Sequence, residues 1–306
     1  MQSGEDENIV LSFILLNYNN VDYTVPCIRS LQETVTVPFE IIVVDNASTD
    51  DSINRLSRIP EIKLVKNTTN RGFCAGNNDG AKIASGKYIV ILNNDTVITN
   101  PNINKLPVIL GHLGKYDVVG GKVIGMKGEI QSSGGYEPTI IDLLMQFVIL
   151  YHKYINLPWV KKVDWSNDNI KEVDWASGCF FAMRLDTYRE LDGFDEKIFI
   201  YIDEVELHKR ARNHGGRILL YPEIVISHYG HISWGSNHHV GLKHNYNSAT
   251  YFLGKYYSLF HKYMFIFIVK MANLFYLPVY IALRIIPGKK EKFNKKIKFC
   301  LTLLTA

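Results

Sequence analysis

Cysteine is scarce and unpatterned in this chain of 306 residues: Cys27, Cys74, Cys179 and Cys300 stand far apart and form no C-x-x-C pair. That excludes a zinc finger and a disulfide framework, and makes a reducing compartment the expectation. Phosphate-cradling glycine loops are missing as well. No G-x-G-x-x-G follows the first apolar run, and Gly80…Gly86-Lys87-Tyr88 lacks the spacing and the hydroxyl residue of a P-loop. Dinucleotide oxidoreductases and P-loop kinases drop out. There is no internal repeat and no low-complexity tract. The first eight residues, Met1-Gln2-Ser3-Gly4-Glu5-Asp6-Glu7-Asn8, are polar and acidic, so no secretory leader is expected there. Acid nearly vanishes at the other end. From His231 onward eleven Lys/Arg face one acid, Glu291, a net charge of +10. Set against whole-chain totals of 34 basic and 30 acidic residues, this leaves 23 and 29 in the first 230, or −6. A weakly acidic body with a basic tail points to two environments for one molecule.

What is present is a large stock of apolar residues, 47% of the chain, enough for one α/β domain with an appendage. Short apolar runs at Ile9–Leu16, Glu40–Val44, Ile62–Val65 and Tyr88–Leu92 read as strands buried on both faces. Helices are expected between them at Thr24–Glu33, Asp50–Arg58 and Gly76–Ala84, the second capped from Ser48-Thr49-Asp50. This alternation predicts a mostly parallel sheet flanked by helices. Further on, Val118–Val123 and Arg217–Tyr221 read as strands and Asp203–His214 as a helix closed by Gly215-Gly216. Residues 136–174, with Pro138 and Pro158, read as irregular, an insertion or a lid.

In sheets of this kind ligands bind beyond the carboxyl ends of the strands. Polar clusters sit there. Asp45 ends the second run: it either caps the following turn or accepts a hydrogen bond from a nucleobase or ribose, and Ser48 or Asp50 leaves both open. Asn93-Asn94-Asp95 ends the fourth. It is either an ordinary turn or a carboxylate that holds a divalent cation against a diphosphate, since Mg²⁺ and Mn²⁺ share their shell with phosphates and water. Asp203-Glu204-Val205-Glu206 is either an acidic first helical turn facing the macrodipole or a functional carboxylate pair.

Taken together, Asn17-Tyr18-Asn19, Val44-Asp45-Asn46-Ala47-Ser48-Thr49-Asp50, Asn70-Arg71-Gly72-Phe73-Cys74-Ala75-Gly76-Asn77-Asn78 and Leu92-Asn93-Asn94-Asp95-Thr96 closely resemble the family 2 glycosyltransferases of the GT-A fold. The rhamnosyltransferase and galactofuranosyltransferase branch is the nearest in pattern. The resemblance continues through Trp175-Ala176-Ser177-Gly178-Cys179-Phe180, Gly193-Phe194-Asp195-Glu196, Tyr201-Ile202-Asp203-Glu204-Val205-Glu206 and Ser227-His228, in order, over roughly residues 9–233. It implies a GT-A nucleotide-diphospho-sugar transferase domain over 1–233, a donor half about 9–122 and an acceptor half about 123–233, followed by a helical segment over 234–306. It implies an inverting transfer of a hexose from a dTDP- or UDP-sugar, rhamnose or a galactose form, to a surface-polysaccharide or lipid-linked saccharide. Asn17, Tyr18, Asn19, Asp45, Arg71, Asn94 and Asp95 are then donor residues, and Trp175, Gly178 and Asp203 acceptor residues. Asp95 and His228, the latter with Ser233 nearby, would hold Mg²⁺ or Mn²⁺. The family's acidic pair is inverted here to Asp203-Glu204; Glu204 stands where relatives carry the base, and Asp203 stays in play. Fewer carboxylates beside Asp95 predict weaker metal affinity. A non-catalytic sugar-binding protein of the same fold and a nucleotidyltransferase are the rivals. The latter needs a glycine-rich basic loop where Asn17-Tyr18-Asn19-Asn20 stands, and a processive synthase needs a Q-x-x-R-W motif that is absent.

The tail poses its own question. Tyr263–Leu283 holds 18 apolar residues of 21, interrupted by Lys270, Asn273 and Pro278, and six lysines crowd into Lys289–Lys298. Contact with an anionic membrane surface, packing or homo-oligomerisation, and a marginal span are the alternatives. The expectation is a cytoplasmic protein, peripheral on the cytoplasmic face of a membrane, with no nucleic-acid partner.

Overall fold

A computed structural model describes residues 9–150, 163–230 and 238–306. Expectations resting on Met1–Asn8, Pro158 and Ser233 lie outside the described residues. Two compact units are distinguished: one takes residues up to 136, 162–199 and 203–233, the other 137–161, 200–202 and 234–306.

In the first unit the elements follow as β1 (Leu11–Asn17), α1 (Val21–Thr34), β2 (Phe39–Asp45), α2 (Ser52–Leu56), β3 (Ile62–Lys66), α3 (Gly72–Ile83), β4 (Tyr88–Asn93), β5 (Thr96–Val97), α4 (Leu106–Gly111), β6 (Val118–Gly125) and β7 (Gly134–Gly135). The second unit interrupts with α5 (Ile140–Met145). The first resumes with β8 (Lys171–Val173), β9 (Trp175–Ala176), β10 (Phe180–Arg184), α6 (Leu185–Glu190), α7 (Asp203–Asn213) and β11 (Ile218–His228). The sheet order is β3-β2-β1-β4-β10-β6-β11-β5, with β8 also on β11, and β7 pairs with β9 apart from it. β1 to β4 are mutually parallel and β10 runs against its neighbours β4 and β6, so the sheet is mixed.

Burial on both faces explains the unbroken apolar runs. Leu11, Phe13 and Leu15 of β1 join a core with Cys27, Ile28 and Leu31 of α1. The alternate residues face α3, which must come very close: a Cβ on Gly76 would stand 2.4 Å from Leu16, and one on Gly80 2.7 Å from Ile14. The lone serine in the first run is satisfied inside, where Ser12 Oγ donates to Glu40 Oε1 at 2.5 Å and accepts from Gly86 N–H at 2.8 Å. The four cysteines are free and buried.

Differences from the sequence expectation have physical causes. β11 continues past Pro222 because the register shifts between Tyr221 and Val225, a bulge that absorbs the missing donor. α2 is shorter than expected; of the expected capping residues Asp50 serves, its Oδ1 accepting the Ser52 N–H at 3.0 Å, while Ser48 is engaged elsewhere, as described below. Residues 137–150, expected to be irregular, form α5 and a following π-helical turn, entered through a Thr139–Asp142 capping box.

The second unit continues with α8 (His238–Tyr256), α9 (Leu259–Leu283) and α10 (Lys290–Thr305). Its core centres on Phe147, Tyr246 and Phe265, whose ring centroids lie 5.5–5.9 Å apart. α9 carries Pro278 within it and is capped by Ser258.

Glu40 ties stability to pH. Burial alone would raise its carboxyl, but hydrogen bonds from Lys63, Ser12 and Ser85 outweigh that and hold it below the usual 4.5. The unfolded chain therefore takes up the proton more readily. The stabilisation is complete above pH 4.5 and is lost as pH falls through the depressed native value. Glu40→Gln should lose about 2 kcal/mol at neutral pH. In urea denaturation the gap to wild type should close well below pH 4.5; a gap that stays constant contradicts this linkage.

Candidate active site

The polar residues at the ends of β1, β2 and β4 form one buried chain of hydrogen bonds. Asn94 Nδ2 donates to Thr24 Oγ1 at 2.7 Å, Thr24 Oγ1 to Asn17 Oδ1 at 2.7 Å, and Asn17 Nδ2 to Asp45 Oδ2 at 2.8 Å. Asp45 Oδ1 takes the Ser48 N–H at 2.9 Å. The two loops after β1 and β2 are clasped in turn: Ser48 Oγ accepts from Asn19 N–H at 2.9 Å, and Asn19 Oδ1 accepts from Thr49 N–H at 2.7 Å. Asn19 and Ala47 sit at the bends with φ of 52° and 66°, strained for side-chain-bearing residues. Tyr18 lies exposed on the loop. Asn17, Asp45 and Asn94 are thus brought together, with Thr24 as the member that sequence reasoning missed.

Asp95 follows directly. β5 pairs with β11 so that Thr96 faces His228, which sets Asp95 Oδ1 3.1 Å from His228 Nε2. Gln131 decides the tautomer. Its Nε2 donates to the His228 carbonyl at 3.1 Å, so its Oε1, 2.7 Å from His228 Nδ1, accepts the Nδ1 proton. In the neutral ring Nε2 then turns a lone pair toward a carboxylate oxygen, an arrangement that asks for a cation or a proton between them. Two neighbouring ligands on an ion held at about 2.1 Å would be about 3 Å apart, so the pair fits a divalent ion on both spacing and donor chemistry. Among the described residues no group of three or more His, Cys, Asp or Glu converges for a metal. The remaining ligands would be phosphate and water oxygens, in line with a site that is weak without its anionic partner.

The residues expected on the acceptor side include the first turn of α7. Asp203 is buried and Glu204 half-buried in its first turn. Burial pushes the Glu204 carboxyl above its usual range, opposed by hydrogen bonds from Asp203 and the Gly178 N–H. One turn on, His208 Nδ1 accepts the Ala176 N–H at 3.2 Å. Glu204 and His208 are one turn apart on the same face of α7, so that face meets both the Gly178 amide of the turn and the Ala176 amide at the end of β9. Burial drives the His208 pKa down to about 3, helped by Arg212 and Arg210, so the ring is neutral. His208 was missed in the sequence, although its i+4 relation to Glu204 was the available signal. Glu206 is buried against Arg210, which also donates to the carbonyls of Leu191 and Gly193 and so fastens Gly193-Phe194-Asp195-Glu196 to α7.

Trp175 is half-buried in β9, its Nε1 donating to the Tyr136 carbonyl at 2.9 Å. A Cβ on Gly178 would make only ordinary contacts, 3.6 Å to Phe73 and 3.7 Å to Asp203 Oδ2, so the fold itself does not demand glycine there. Arg71 donates its N–H to Asn46 Oδ1, beside Asp45, at 3.2 Å, while its guanidinium is held by Asp79 at 2.7 Å and Glu196 at 2.7 Å.

The glycosyl transferase family 2 signature matches residues 12–169, just over half of the chain, and the chain belongs to that family. It is 21% identical over 258 residues to the N-acetylglucosaminyl-diphospho-decaprenol L-rhamnosyltransferase of Mycobacterium tuberculosis, covering 80% of this chain and 84% of that one. It is 23% identical over 207 residues to the low-salt glycan biosynthesis hexosyltransferase Agl10 of Haloferax volcanii, covering 66% of this chain but only 61% of the relative. Among solved structures it resembles residues 1–349 of TarS from S. aureus, with TM-score 0.53, 16% identity and coverage of 97% and 81%. A mannosyltransferase from Pyrobaculum calidifontis in complex with GDP-Man and Mn²⁺ gives 0.54, 14%, 96% and 86%. These likenesses establish the GT-A type of fold.

His208→Leu should destabilise the protein by about 1–3 kcal/mol, because the Ala176 N–H is left buried without an acceptor. His208→Asn, which returns an oxygen near the Nδ1 position, should recover much of that loss in chemical denaturation. Equal stability of both variants and wild type would remove the strut.

Proposed function

We propose that this protein is an inverting transferase that moves a hexose from a dTDP- or UDP-sugar to a hydroxyl of a surface-polysaccharide or lipid-linked saccharide, with Glu204 as the base. The observation that carries this reading is the Glu204 carboxyl: half-buried, held above its usual range by burial, and oriented by the Gly178 N–H. A carboxylate whose affinity for a proton is raised in this way is a stronger base than a free one. The mycobacterial relative's rhamnosyl transfer to a diphospho-decaprenol-linked sugar supports the rhamnose branch and a lipid-linked acceptor.

The chemistry is a single displacement. The acceptor oxygen forms its bond to the anomeric carbon as Glu204 takes its proton, and the bond to the diphosphate oxygen breaks with its electron pair leaving on the nucleotide. Attack opposite the leaving group inverts the anomeric configuration. Asp95 and His228 would hold the divalent ion, which when bound offsets negative charge on the departing diphosphate. Asp45 and Asn17 line the end of the sheet where the nucleoside would lie, and Gly178 leaves room above the Asp203–Glu204 pair for the acceptor sugar.

Glu204→Gln should lower turnover by about 10²–10⁴ with donor affinity retained. A lethal Asp203→Asn beside a mild Glu204→Gln would reverse the assignment within the pair. Both are read by initial rates with a panel of nucleotide-sugars, and the product anomer by NMR.

Asp95→Asn should weaken nucleotide-sugar binding in Mn²⁺ or Mg²⁺ and change it little in EDTA. Calorimetric titration decides this: wild-type affinity that is the same with and without metal removes the ion from the site.

A further inference from the structure

α9 is apolar on its outward side as well as on the side that it buries. Its outward residues Phe260, Tyr263, Phe267, Met271, Leu274 and Ile281 are 49–70% exposed and recur in steps of three and four, with exposed Pro278 filling the one gap. They form a stripe along a helix about 37 Å long. The inward face holds Phe265, Val269, Asn273 and Tyr280, buried in the second unit's own core. The helix's polar residues are turned inward or held. Asn273 Nδ2 donates to the Val269 carbonyl at 2.8 Å, and the half-buried Lys270 Nζ donates to the Ala306 carbonyl at 3.4 Å. Only 17% of its most apolar window is buried, whereas the core helix of a water-soluble protein is mostly buried.

Charge identifies the occupant. The segment from 231 onward carries +10, and its one acid, Glu291, is already paired with Lys295 at 3.2 Å. The exposed lysines 289, 290, 292, 295 and 298 begin where α9 ends. Two copies brought together through such units would repel each other. An anionic lipid surface satisfies both features at once, an apolar layer for the stripe and phosphates for the lysines. We infer that α9 lies in the plane of an anionic bilayer, its outward stripe in the acyl boundary and the lysines of the α10 region on the headgroups. It does not span. Its inner face is covered by α8 and α10, whose lysines and other polar residues would have to enter the hydrocarbon with it. Glycosyl transfer is not needed for this inference, and its test does not read activity.

The test uses the full chain in co-sedimentation with phosphatidylcholine vesicles and with vesicles that also contain phosphatidylglycerol, at low and high salt. Binding should require the anionic lipid and should weaken, without vanishing, at high salt. Lys290→Glu, Lys292→Glu and Lys295→Glu should each lower affinity by about fivefold or more. The double variant Phe267→Glu, Leu274→Glu should abolish the salt-resistant part. The milder Phe267→Ser, Leu274→Ser pair, checked for an unchanged melting temperature, serves if the charged pair fails to fold. No binding to anionic vesicles at low salt, or binding untouched by the stripe variants, overturns the inference. So does sedimentation velocity showing a wild-type dimer that the stripe variants convert to monomer, which would make the stripe an interface between copies.

Discussion

The buried run of hydrogen bonds from Asn94 through Thr24 and Asn17 to Asp45 is the constraint on which the candidate donor region depends. None of these side chains reaches bulk water, so each donor and acceptor must be met inside or its desolvation is uncompensated. Meeting them dictates where β1, β2 and β4 end relative to one another and how α1 leaves β1. The donors all point the same way, toward the Asp45 carboxylate, so each bond polarises the next. Asp95 inherits its place from this arrangement, because the same turn that sends Asn94 inward turns Asp95 toward β11.

A second constraint lies at the entrance to α7. Tyr201 and Ile202 both adopt left-handed backbone, with φ of 68° and 62°, immediately before Asp203. For a β-branched residue this is a true outlier, worth about 1–3 kcal/mol of strain, and it survives only where surrounding contacts overrule local preference. Downstream, the Glu206–Arg210 pair, Arg210 on the Gly193 carbonyl and His208 on Ala176 fix the helix that carries the two carboxylates. The orientation of the two carboxylates is therefore set by the packing of the whole helix rather than by its first turn.

Much of this was legible in the sequence, for identifiable reasons. β1, β2 and β4 are apolar runs because both their faces are buried, whereas the edge strand β3 is only half-buried, and the polar clusters that end β1, β2 and β4 mark the sheet edge directly. Asp45, Asp95 and the Asp203-Glu204 pair could be named because chain order alone puts them at element ends. The partners that give them meaning could not. Gln131 reaches His228 across 97 residues because its N–H bonds back to Val123 of β6, the parallel neighbour of β11, and the two-residue β5 that sets Asp95 against His228 leaves no periodic trace. The Arg71 guanidinium pairs with Asp79 and, 125 residues away, with Glu196, partners that no linear motif records. In the tail, the apolar content of α9 was plain, but which side of the helix stays uncovered depends on how α8 and α10 pack.

The four buried cysteines supply the protein with internal clocks. Cys27, Cys74 and Cys179 lie in the first unit and Cys300 in the second, all buried, and burial raises the thiols of Cys27 to about 12 and Cys300 to about 11. A thiol so placed is neither accessible nor ionised in the native state, and an alkylating reagent can reach it only when its own unit opens. The order in which the four positions become labelled therefore reports which unit gives way first, with no engineered probe and no loss of the native sequence.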